Sequence, residues 1–304
     1  MRKTSAVLAT LSLAVLALTG CSSAPSYDGA SCDRPSGSTG VAASVTADGA
    51  IGEKPDADVF APVRASKTTY ADLITGDGPA VVSASQGFVA EITIFNGATG
   101  EQVFQSAYDP SRSAVHTIDY WASLSPGLAT VLPCATQGSR IVAALPAKDF
   151  GEQNSQGFGF AKDDTAVFVI DMVDVYLPKA EGALQFNDAS GMPTVVRAAD
   201  GTPGIIVPDS AAPKKDVTQT LIKGDGPVVK KGDTVVTNFT GVNWDTKKVT
   251  NSTWGKEPSV AAAAEQLVGA TVGSQVLVVI PGADGGAATA VVIDVLGITS
   301  APAP

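Results

Sequence analysis

Histidine is almost missing from this 304-residue chain, which has one, His116. It lies in the polar stretch Ser111–His116, with no cysteine or serine around it in a recognised catalytic order, so no catalytic or metal role is expected of it. Cysteines number three, Cys21, Cys32 and Cys134, without the spacing of a metal site. Basic residues are outnumbered: Lys plus Arg is 20 and Asp plus Glu is 30, a net charge of −10. That removes the positive footprint nucleic-acid binding needs and disfavours contact with anionic headgroups. No glycine-rich loop opens a helix, since Gly285-Gly286 falls between two strand-like runs, and Asp163-Asp164 sits at a turn before a strand. The residues therefore call for no metal and no cofactor. A hydrophobic run long enough to cross a bilayer is also missing: Ala6 to Leu18 is too short.

What is present divides the chain. Arg2 and Lys3 followed by that apolar run make residues 1–20 a targeting segment. Leu18-Thr19-Gly20-Cys21 resembles the lipobox of bacterial lipoproteins, which implies lipidation of Cys21 and a place at the outer face of the cell membrane. A plain signal peptide followed by a coincidental cysteine is the other reading. With Cys21 carrying lipid, Cys32 and Cys134 remain as one possible disulfide outside the cytoplasm. Residues 21–58, rich in Ser, Gly, Ala and Asp, read as a lipidated, solvated tether that such a bridge would shorten. The 44% hydrophobic content suffices for a core in each of two domains.

An internal repeat sets those domains. Asp72-Leu73-Ile74-Thr75-Gly76-Asp77-Gly78-Pro79 matches Thr220-Leu221-Ile222-Lys223-Gly224-Asp225-Gly226-Pro227, and Gln137 to Val142 matches Val272 to Leu277. Leu145-Pro146 then matches Ile280-Pro281, and Ala166 to Asp171 matches the run reaching Asp294. One copy is expected over 59–177 and the other over 192–300, with a linker at 178–191 and a disordered tail at 301–304. β-branched runs with period two, such as Thr234 to Phe239, Gln275 to Ile280 and Ala290 to Leu296, predict strands. Thr194 to Val207 reads as an entry strand for the second copy, and Ala261 to Gln266 as a short helix. The fold class is α+β, mostly antiparallel β, each copy a twisted sheet wrapped on one short helix.

The order of pieces in the second copy resembles the FKBP-type peptidyl-prolyl isomerases: the Gly-Asp-Gly turn at 224–226, Lys231-Gly232-Asp233, Phe239-Thr240-Gly241, Trp244-Asp245-Thr246-Lys247-Lys248, Val272-Gly273-Ser274, Ile280-Pro281 and Val292-Ile293-Asp294-Val295-Leu296. The resemblance implies rotation about X–Pro amides in an apolar pocket walled by aromatics and one Asp. In the second copy it places Phe239 at the pocket Tyr, Asn251 at the Asp and Val291 at the Phe of the last strand, so that this copy is expected to be weak or inactive. In the first copy it places Phe104 at the pocket Phe, Gln105 at the Asp, Leu128 at the floor Trp, Phe150 at the loop Tyr and Phe168 on the last strand. Either Thr93 or Phe95 could take the first Tyr position. Trp254 could equally cover its hairpin or touch a ligand. The implied partners are proline-containing segments of exported proteins, met by a monomer held to the membrane through Cys21, with no nucleic acid. Two functions fit: an isomerase assisting folding of exported proteins, or an inactive FKBP-like binding lipoprotein.

Overall fold

A computed structural model describes residues 26–27, 30–34, 37–186, 189–283 and 286–300. The targeting segment, Cys21 and the tail 301–304 lie outside the described residues. In chain order the first part contains β1 (Ser26–Tyr27), β2 (Ala30–Ser31), α1 (Thr39–Ala42), β3 (Val45–Asp48), β4 (Asp56–Val59), β5 (Thr69–Ile74), β6 (Phe88–Asn96), β7 (Gln102–Gln105), α2 (Ile118–Leu124), α3 (Leu128–Val131), β8 (Arg140–Pro146), α4 (Ala147–Phe150), α5 (Glu152–Gly157) and β9 (Thr165–Val175). The second part contains β10 (Ala183–Leu184), β11 (Thr194–Arg197), β12 (Pro203–Ile206), β13 (Val217–Lys223), β14 (Thr234–Asn243), β15 (Val249–Ser252), β16 (Ser259–Ala262), β17 (Gln275–Ile280) and β18 (Thr289–Thr299). The architecture is mostly antiparallel β with few helices.

The two parts repeat one sheet. The first runs β5-β8-β9-β6-β7, and the second carries β13-β17-β18-β14-β15 in the corresponding order, with β10 added at one edge and β16 pairing β14. The shared Gly-Asp-Gly-Pro turn has the same physical task in both. A Cβ on Gly76 would lie 2.0 Å from the Gln137 carbonyl oxygen, and one on Gly224 2.2 Å from that of Val272, so only glycine permits the approach. Thr136 and Thr271 hydroxyls donate to the carbonyls of Gly76 and Gly224 (2.9 and 2.6 Å), while Ser139 and Ser274 accept from their amides. The motif is thus a latch between the first strand of each sheet and the turn before the second.

Each sheet has two covered faces. In the first part, Phe88, Ile92, Ile141, Ala143, Phe168 and Ile170 face α2 and α3 through Ile118, Leu128 and Val131. The opposite face, Val142, Ala144, Val167 and Val169, is covered by the β3–β4 hairpin through Val45, Ala47, Ala57 and Val59. Residues 21–58 were expected to be a solvated tether; the described ones carry β1, β2, α1 and the β3–β4 hairpin, and the last of these packs on the first sheet. Small side chains at period two hid a strand pattern in a Ser/Gly/Ala-rich stretch. The Arg140 guanidinium, fully buried, pairs with Asp171 at 2.7 Å and donates to the carbonyls of Ala47, Gly49 and Ala50, fastening the hairpin tip. Cys32 and Cys134 are joined by a disulfide, and Arg34 beside it pairs with Asp72 and donates to the carbonyls of Val131 and Pro133.

The second part repeats this scheme with altered chemistry. Thr194 to Val207 is not one entry strand but the β11–β12 hairpin, which lays Val195 and Ile205 on Leu221, Leu277 and Val292. Gln275 stands where Arg140 does, and the charge comes from the hairpin: Arg197 donates to Gln275 (2.7 Å), whose amide donates to Asp294 (2.8 Å). The expected linker 178–191 is engaged with the sheet, since the Ala180 amide donates to Asp294 (2.7 Å) and β10 pairs β13. The expected helix at 261–266 is the edge strand β16 and a 3-10 turn, Glu265–Leu267. A run that short cannot meet the cost of helix nucleation, and β14 offers it a ready ladder.

Candidate functional site

Strand alternation on the helix-covered face of the first sheet builds a cleft. β6 presents Ile92 and Ile94, β7 presents Phe104 and β9 presents Phe168; α2 adds Trp121 and Leu124, α3 adds Leu128, and the α4–α5 segment adds Phe150 and Phe158. The cleft measures about 160 Å³. At roughly 30 Å³ per water, that is several waters' worth of space, enough for one small ring. Phe150, Phe168 and Leu128 are at most 2% exposed and form the floor, whereas Phe104, Leu124 and Phe158 are 41, 46 and 37% exposed and form the rim. Phe150 meets Phe168 edge-on at 5.7 Å and Phe158 in a stacked arrangement at 6.0 Å, and Phe104 meets Phe158 at 6.3 Å.

Two polar side chains of the cleft, Ser125 and Asn154, are occupied in building it. Ser125 donates to the Phe150 carbonyl at 3.1 Å, and Asn154 donates to the carbonyls of Leu124 and Phe150 at 2.7 and 3.0 Å. These bonds tie the end of α2 to the α4–α5 corner and fix the angle between rim and floor. No titratable side chain lines the cleft. The perturbed groups lie elsewhere: burial pushes Tyr108 and Tyr176 up to about 12 and raises Asp174 and Asp294. Among the described residues no His/Cys/Asp/Glu cluster suits a metal ion. A larger, shallow groove of about 1050 Å³ behind α5 carries charges of both signs, Arg64, Lys148 and Lys162 with Glu152, Asp163 and Asp164.

Four residues singled out from the sequence, Phe104, Leu128, Phe150 and Phe168, converge on the cleft. Gln105 does not: it follows Phe104 on a strand, so its side chain turns to the other side, where it accepts from Gln102 at 3.1 Å. Neither candidate for the first Tyr position enters either. Thr93 shares a hydrogen bond with the Tyr108 hydroxyl, and Phe95 packs beneath the β3–β4 hairpin. Their neighbours Ile92 and Ile94 are the wall residues, missed because the aromatic signal drew attention off the alternation. Trp121 and Phe158 were missed too; the first lies in a weakly helical stretch and the second in a glycine-rich one.

Register gives the second copy's equivalents. Ile92 faces Ile170, and Ile94 faces Phe168 and Phe104; Phe239 likewise faces Ile293, and Gly241 faces Val291 and Asn251. Phe239, Asn251 and Val291 thus occupy the positions of Ile92, Phe104 and Phe168. Two of the three are far smaller or polar, Asn251 is exposed, and the floor segment is replaced by β16 and its turn. Trp254 lies over the β11–β12 turn at Gly201.

No family model and no curated protein matches the chain. Among solved structures it is similar to the three FKBP domains of wheat FKBP73, at 15% identity over 77% of this chain and 95% of that one, with a TM-score of 0.34. A peptidyl-prolyl cis-trans isomerase from Pseudomonas syringae pv. tomato matches at 18% identity over 37% of this chain and 77% of that one, TM-score 0.30. FkpA from Escherichia coli matches at 20% identity over 38% and 55%, TM-score 0.25. The repeated sheet order and the cleft itself carry the functional reading.

Proposed function

We propose that the first copy is a peptidyl-prolyl cis-trans isomerase and that the second has no comparable site. The observation that supports this is the convergence of Phe104, Trp121, Leu128, Phe150 and Phe168 on one ring-sized apolar cleft. The reaction needs no nucleophile, metal or cofactor. Its barrier, about 18–20 kcal/mol, comes from losing amide resonance as the bond twists. The twisted amide has less charge separation than the planar one, so a dry wall disfavours the ground state more than the transition state. Phe150, Phe168 and Leu128 would hold the proline ring while the preceding residue, free at the rim, turns about the bond. A lipid on Cys21 would place this activity at the outer membrane face, with proline-containing segments of exported proteins as clients of a monomer.

A specific observation favours a second reading. Ser125 and Asn154 are already spent on backbone carbonyls, so neither is free to donate to a twisting amide. A cleft that holds proline-containing segments without turnover would look the same. NMR exchange spectroscopy of an X–Pro peptide with the full chain separates the two. Cross-peaks that build up faster with protein, and that Phe150→Ala abolishes, are expected for the isomerase. Peptide signals that shift on binding at an unchanged exchange rate would leave the binding reading alone.

A further inference from the structure

We infer that the second copy is a brace for the cleft of the first, acting through Glu257 on His116 and so on the helix that carries Trp121. This rests on the isomerase reading of the cleft. His116 is bonded on both sides to β6, its amide and carbonyl exchanging 2.9 Å hydrogen bonds with Phe88. Thr117, the next residue, caps α2, accepting from the Tyr120 amide at 3.2 Å. The helix then delivers Trp121 and Leu124 to the cleft wall. Since α2 starts directly after His116 and Thr117, a change in how His116 is seated is passed to the wall residues that α2 carries.

What fixes the His116 ring comes from the other copy. Its Nδ1 lies 3.1 Å from Glu257 Oε1, and the ring stacks on Tyr120 at 3.6 Å with an interplanar angle of 4°. Trp121 stands edge-on to both rings, 5.7 Å from His116 and 5.4 Å from Tyr120. Around this stack the copies are in apolar contact: Val89 and Tyr176 pack with Val236 and Leu296, and Val115 and Val260 join them. Gly87, the residue before β6, lets the Pro258 ring approach, since a Cβ there would lie 2.9 Å from it and from Val115. The neighbours of Glu257, Pro258 and Val260, are thereby seated, and the carboxylate is aimed by a packed backbone rather than by a free loop. A copy without the cleft's large wall residues is in this way given a task in the copy that has them.

His116 and Glu257 are positioning residues on this account, and the test separates them from general structural ones. The indole N–H of Trp121 is buried without a hydrogen-bond partner among the described residues, so its ¹H–¹⁵N resonance reports the surrounding rings directly. Glu257 is about half exposed, so its replacement should leave the fold intact. In the full chain, Glu257→Ala and His116→Ala should shift the Trp121 indole signal, assigned with Trp121→Phe. They should also raise KM for an X–Pro peptide roughly three- to tenfold with little change in kcat. Glu257→Gln keeps an acceptor for His116 and should restore both. An unmoved indole signal in folded Glu257→Ala overturns the brace. A shifted signal in a protein that never accelerates exchange supports the brace and overturns the isomerase reading instead.

Discussion

Phe168 is 2% exposed and Phe104 41%, although both rings line one cleft. Phe168→Ala should therefore cost about 3–5 kcal/mol of stability and remove activity. Phe104→Ala should raise KM while moving the urea midpoint little, because a rim ring loses few contacts. Equilibrium unfolding beside exchange kinetics checks the pair, and equal destabilisation by both would contradict the floor-and-rim division. Asp294 gives a second residue-scale prediction. Burial raises its carboxyl against the bonds from Ala180 and Gln275 and the charge of Arg197. A raised folded value means that the protonated group favours the folded state. That contribution is full below about 3.9, the ordinary Asp value, and is lost as pH rises through the folded value. Asp294→Asn should flatten the fall of the urea midpoint over that window, leaving the share of Asp174, which burial also raises. Phe104, Phe150 and Phe168 were legible in the sequence as rings at motif positions, whereas Ile92, Ile94, Trp121 and Phe158 were not. Gln105 was misread because a motif alignment carries no side-chain direction, which the strand supplies.

At the scale of elements, the strands announced themselves through β-branched runs at period two, and the repeated turns through glycines that a latch requires. The hairpin β3–β4 did not, because its inward positions hold alanine and valine among polar neighbours and the pattern is short; β11–β12 was legible as strand but not as two strands with a turn between. What holds them is a charge placed inside, and this can be tested. Arg140→Met leaves Asp171 buried and unpaired and strips the hairpin carbonyls of Ala47, Gly49 and Ala50 of their donor. A loss of about 3–5 kcal/mol is expected, with hydrogen exchange rising first in residues 45–59. The double change Arg140→Met, Asp171→Leu should recover much of that loss, since neither member of the pair is then left as a lone buried charge. Failure of the double variant to recover would place the destabilisation in packing rather than in the pair. The helix expected at 261–266 illustrates the opposite error: helix propensity was read correctly, but a neighbouring strand edge won.

For the whole molecule, the Cys32–Cys134 bridge closes 102 residues of chain around the first copy. By the chain-entropy relation such a loop is worth about 4–5 kcal/mol, so Cys32→Ser with Cys134→Ser should lower the urea midpoint strongly and loosen the segment that Arg34 also pins. Retained protection of residues 32–38 in the double variant would show that Arg34 suffices alone. The repeat was visible in the sequence at the level of turns and strand ends. Its asymmetry was visible only in part, since the exchange of α2 and α3 for β16 depends on which edge a short segment finds. That exchange has a consequence for stoichiometry. If the first copy is the isomerase proposed above, doubling the fold doubles the mass without doubling the valency: one molecule would offer one proline seat, a client with two prolines would gain no avidity from the tandem, and saturation would come at one segment per chain.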